Sequence, residues 1–64
     1  MHPAIGHVLR FFDYVHLPPK LQAISKPFCD LAQQVAARAP KSQETTVALR
    51  KLLEAKDAAV RAAL

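Results

Sequence analysis

Apolar residues recur at helical intervals along the chain, and their spacing predicts three helices. Over residues 3–14, Ile5, Val8, Leu9 and Phe12 fall on one face behind Pro3, a residue suited to a first helical turn. Gly6 weakens that element and keeps it short. From Lys20 onward Leu21, Ile24, Phe28, Leu31, Val35 and Arg38 follow steps of three and four. Lys26, Asp30, Gln33 and Gln34 lie opposite, so a long helix is expected over about 20–38. Pro27 interrupts that pattern and predicts either a kink or a restart with Ser25 near the new cap. Ser42 is a good N-cap and Glu44 suits a first turn, which places a second long helix over about 43–63.

This last helix carries two apolar rows. Ala48, Leu52, Ala55, Ala59 and Ala62 form one, and Leu49, Leu53, Val60 and Leu64 form the next. A hairpin partner covers only one of them, and the chain has only its short first helix to offer the other. No strand-like alternation occurs. The expected fold is therefore all-α: a single domain over residues 1–64, with a short N-terminal helix followed by an antiparallel two-helix hairpin. Such hairpins are expected to assemble as a symmetric homo-oligomer.

Size sharpens this expectation. A chain of 64 residues buries only about 60% of the surface its unfolded form exposes, so it needs additional support. One cysteine, Cys29, excludes an internal disulfide, and it makes no zinc spacing with the three histidines. No cofactor or metal is expected, which leaves helix packing and self-association. The net charge of +4 favours an anionic partner. No apolar run approaches the roughly 18 residues of a membrane span, and no signal-peptide pattern opens the chain, so a cytoplasmic protein is expected.

Motifs for catalysis are scarce. There is no glycine-rich phosphate loop and no metalloprotease pair. Cys29, one position past the Phe28 row, is read as a small hydrophobe instead of a nucleophile partnered by His16. Glu54 and Asp57 are read as partners of Arg50, Lys51, Lys56 and Arg61 on a solvated face, not as an acid and base. The protein is not expected to be an enzyme.

The stretch FFDYVHLPPKLQ is the most informative. Pro18 and Pro19 stop the first helix and force a turn, beside which Tyr14, His16 and Lys20 project. Planar rings next to cations can stack on a nucleobase and neutralise its phosphate. The same rings can instead plug the top of the hairpin core. Phe12 is expected in the core and Phe11 at an exposed contact surface. Lys26 and Arg61 have plain readings as well, as a solvated lysine and a complement to the dipole of the last helix.

The elbow YVHLPP, the amphipathic LAQQVAARAP, the Pro-x-Ser-x-Glu cap and VALRKLLEAKDAAVRAAL together resemble the phage-encoded helical hairpins that counteract CBASS immunity. Those proteins sequester cyclic oligonucleotide signals, and related hairpins do the same for Thoeris defence. The likeness runs from about Phe11 to the end of the chain. It implies a symmetric oligomer, up to a hexamer, in the cytoplasm of an infected bacterium. Such an oligomer would bind cyclic dinucleotides, and cyclic trinucleotides in some relatives, between protomers without cleaving them. It also implies that Tyr14 stacks on a base, with His16 and Pro18 beside it, Lys20 following and Lys26 contacting phosphate. Arg61 stands with Val60 where relatives carry an asparagine, and Gln43 replaces an arginine of the cap. Both departures bear on a second, trinucleotide pocket. The alternative function is a small phage structural or interaction protein that binds a helix or a host protein through its apolar face. Nucleic acid is the weaker candidate partner, one whose mark would be steep salt dependence.

Overall fold

The protein was analysed as a computed structural model that describes residues 3–64. His2 and the start of the expected 1–64 domain lie outside the described residues. Helix α1 spans Pro3–Leu9 and continues as a 3-10 turn over Arg10–Phe12; α2 spans Pro19–Arg38 and α3 spans Gln43–Ala62. No strand occurs among the described residues. The fold is all-helical, as the spacing predicts.

The first helical segment ends at Phe12, two residues before its expected limit, and the side chain of Asp13 explains why. Asp13 takes φ −59° and ψ 135°, leaving the helical region. Its Oδ1 accepts the Val15 N–H at 3.3 Å, a local bond that competes with continued helix. The chain then turns through a Leu17 N–H to Tyr14 carbonyl bond of 3.0 Å. Pro19 starts α2, where its missing N–H leaves no bond unmade. Gln22, one turn into α2, reaches back to donate to the Leu17 carbonyl at 2.7 Å and to the Val15 carbonyl at 3.3 Å. The elbow is thereby tied to the helix that follows it.

Pro27 lies inside an uninterrupted α2, so the helix does not restart at Ser25. Ser25 is fully buried instead of capping. Ser42 caps α3 as expected, its Oγ accepting the Thr45 N–H at 3.4 Å, with Glu44 in the first turn. The Thr45 hydroxyl donates to the Pro40 carbonyl and closes the four-residue connection between α2 and α3.

The core joins all three helices. Ile5, Val8 and Phe12 meet Ala32 and Ala36 of α2 and Leu49 of α3. Phe12 is fully buried and Phe11 is 55% exposed, as expected for each. The buried face of α2 differs from expectation. The row drawn through Leu21, Ile24, Phe28, Leu31, Val35 and Arg38 is only partly buried: Phe28 and Val35 are half-buried and pack against the core, Leu21 and Ile24 are half-buried, and Leu31 and Arg38 are exposed, while Ser25, Ala32 and Ala36 are buried. On a helix of 3.6 residues per turn the helix is turned by about a quarter revolution. Small side chains let the neighbouring helices approach, and Phe12 and Ile5 occupy the space a larger row would have filled. On α3, Leu49 is buried and Leu52, Leu53 and Val60 are half-buried, while Ala48, Ala55, Ala62 and Leu64 are exposed.

The two 20-residue helices set the long dimension of 34 Å, and the short dimensions are 18 and 16 Å. No helix among the described residues is long and apolar enough to cross a membrane.

Candidate functional site

The elbow and the last turns of α3 border a cleft of about 360 Å³. Arg10, Phe11, Asp13, His16 and Leu17 line it from the elbow side, and Lys56, Asp57, Val60 and Arg61 from α3. Its volume falls in the lower part of the range of small-ligand pockets, enough for one nucleotide unit. Phe11 is held edge-to-face by His7, the ring centroids 5.5 Å apart and the planes at 82°, so a partly exposed ring is fixed at the margin.

The helical spacing of α3 explains its contribution. Asp57 and Arg61 are four apart, as are Lys56 and Val60, so both pairs project from adjoining strips of the same side. Lys56 Nζ lies 2.8 Å from Asp57 Oδ1, and only 13% of the lysine side chain is exposed. Lys51 and Glu54 pair farther along at 3.6 Å on open surface. Reading the acids of α3 as partners of its lysines therefore agrees with both contacts. Among the described residues, no group of three or more His, Cys, Asp and Glu side chains is placed to hold a metal.

The residues proposed from sequence divide into separate places. His16 and Arg61 line the cleft together. Tyr14 and Lys26 do not line it; Tyr14 is half-buried outside the core cluster, and Lys26 is exposed on α2. Lys26 Nζ donates to Asp30 Oδ2 at 2.9 Å. That hydrogen bond and the charge of Asp30 hold the ammonium above its usual pKa, and Tyr14 adds to the same field. Tyr14 on the elbow and Lys26 on α2 thus lie outside the cleft that holds His16 and Arg61. Pro18 and Lys20 are exposed at the start of α2 and belong to neither set. His16 is exposed and so does not plug the core, whereas Tyr14 is half-buried beside the turn.

Cys29 is half-buried, and burial pushes its thiol pKa up, with Asp30 and Asp13 adding to the effect. A raised pKa disfavours the thiolate that a nucleophile needs.

Of the charged residues lining the cleft, sequence reasoning passed over Arg10, Asp13, Lys56 and Asp57 as site members. The spacing on α3 held a signal for the last two. Arg10 had none, because its place beside Arg61 depends on contacts far apart in the chain. Comparison with protein-family models, curated proteins and solved structures finds no match to this chain.

Proposed function

We propose that the protein is a non-catalytic binder of cyclic dinucleotides, and by extension cyclic trinucleotides, that withholds these signals from bacterial anti-phage defence. The observation that carries this reading is the convergence of Arg10 and Arg61 with His16 and the exposed ring of Phe11 in one nucleotide-sized cleft, whose lining also holds Asp13 and the Lys56–Asp57 pair. Cations supply phosphate affinity and a fixed ring supplies a stacking platform. The resemblance of the elbow and cap to cyclic-oligonucleotide sponges supports the same ligand class. In this reading α2 and α3 form an antiparallel hairpin, copies assemble symmetrically up to a hexamer, and the clefts or the Tyr14 and Lys26 corners of neighbouring copies share a ligand. The site of action is the cytoplasm of the infected bacterium.

The test is calorimetry and thermal denaturation against a panel of cyclic dinucleotides and trinucleotides. A ligand at a hundred times its dissociation constant stabilises the fold by about 2.7 kcal/mol, a large effect for so small a domain. Arg61→Ala is expected to weaken binding, and recovered ligand is expected to be chemically unchanged. A flat response across the panel removes the proposal, and a linearised product removes its non-catalytic part.

A second reading rests on the half-buried Ile24, Phe28 and Val35 and the exposed Leu31 of α2. That strip suits an interaction module for a partner helix or host protein. A persistent protein partner and no response to any nucleotide would favour it.

A further inference from the structure

We propose that Asp57 makes the cleft selective for a singly charged phosphodiester over a terminal phosphate, by standing as the built-in partner of Lys56. This deepens the reading of the cleft as an anion site and rests on it.

Neighbouring helix positions point about 100° apart, so an ion pair between residues 56 and 57 is not the usual surface arrangement of three or four residues' separation. Lys56 nevertheless lies 2.8 Å from Asp57, with its own side chain 13% exposed and the carboxylate 47% exposed. The Lys56 side chain is therefore largely covered and its ammonium already paired, while the Asp57 side chain is about half exposed, and both border the space a ligand would enter. Asp13 contributes a second carboxylate from the elbow. Three cations, Arg10, Lys56 and Arg61, face these two acids, leaving the lining with one positive charge in excess when His16 is neutral. A phosphodiester carries one negative charge. A terminal phosphate carries about −1.5 to −2 at neutral pH, so Asp57 and Asp13 each repel it about twice as strongly as they repel a diester. The arginines are free to take the diester oxygens while Lys56 stays with its acid.

The probes are dimethyl phosphate and monomethyl phosphate, which carry the two charges without any base, titrated against the whole protein by amide chemical-shift mapping. The wild-type protein is expected to bind the diester with shifts centred on Arg10, His16 and Arg61, and its ratio of diester to monoester affinity is the preference against which the variants are read. Asp57→Asn is expected to bind the monoester about three- to tenfold more tightly than wild type, as removal of one partly exposed charge predicts. Asp57→Glu, which keeps the charge, is expected to retain the original preference. Unchanged shifts far from the cleft verify that each variant is folded. If the wild type binds the diester and Asp57→Asn leaves the preference unaltered, selectivity by Asp57 is wrong while the anion cleft stands. If neither probe perturbs the cleft, selectivity by Asp57 falls, while the proposed function is judged separately by the response to the cyclic-nucleotide panel.

Discussion

Ser25 is fully buried, and its Oγ has no hydrogen-bond partner. An unsatisfied buried hydroxyl costs about 1–3 kcal/mol, and alanine is a better helix former than serine. Ser25→Ala is therefore expected to stabilise the protein by about 1 kcal/mol or more, which in a domain of this size raises the melting temperature by about 4–8 °C. A lowered melting temperature would mean that the hydroxyl has a partner such as a bound water. Some residue roles were legible because their chemistry is local: Ser42 needs only an N–H three residues on, and Phe12 only its place on the Ile5 and Val8 face. Ser25 was not legible, because a polar residue scores as solvent-facing wherever it stands. Its burial follows from the orientation of α2 against two other helices.

The extent of α2 was readable from its periodicity and from the prolines at its start, yet its buried face and its response to Pro27 were not. Periodicity identifies an apolar stripe but cannot tell whether large side chains or small ones face the neighbour. Ala32 and Ala36 win here because close approach favours them, and Phe12 fills the remaining volume. Pro27 is exposed within a continuous helix, so its ring packs against nothing that must be preserved. The missing N–H then remains as its main consequence. Pro27→Ala restores that donor, and a gain of about 1–3 kcal/mol is expected from the difference between the two residues in a helix interior. Urea denaturation measures the gain, and protection of the new amide from hydrogen exchange locates it. An unchanged midpoint would indicate that a bend at Pro27 contributes packing elsewhere that offsets the lost bond. The elbow shows the same division at its own scale: the proline stop was predicted, whereas the Asp13 turn and the Gln22 clamp depend on side chains reaching the backbone.

Among the described residues, the buried apolar ones are Ile5, Val8, Phe12, Leu49, Ala32 and Ala36, a small core for a chain of 64. A single core in a chain below about 70–80 residues rarely supplies more than about 3–5 kcal/mol. Meanwhile Ile24, Phe28, Leu31 and Val35 lie about a quarter turn from the buried row of α2, with Leu31 47% exposed. The proposed assembly of copies would cover this strip and supply the missing burial, since each fully buried leucine or valine contributes about 1.5–3 kcal/mol. Sedimentation velocity is expected to show the wild-type protein as a multiple of its 7.0 kDa protomer at micromolar concentration. Leu31→Glu places a charge in the strip without touching the core or the cleft, and is expected to shift the protein to the protomer. Because stability and association are then linked, the variant should also melt at a temperature that no longer rises with protein concentration. A wild-type protomer that sediments alone and melts cooperatively would show that this small apolar core suffices. The shared-ligand form of the proposed function would then fail, while the single-chain cleft of Arg10, Lys56 and Arg61 would remain to be judged on its own binding.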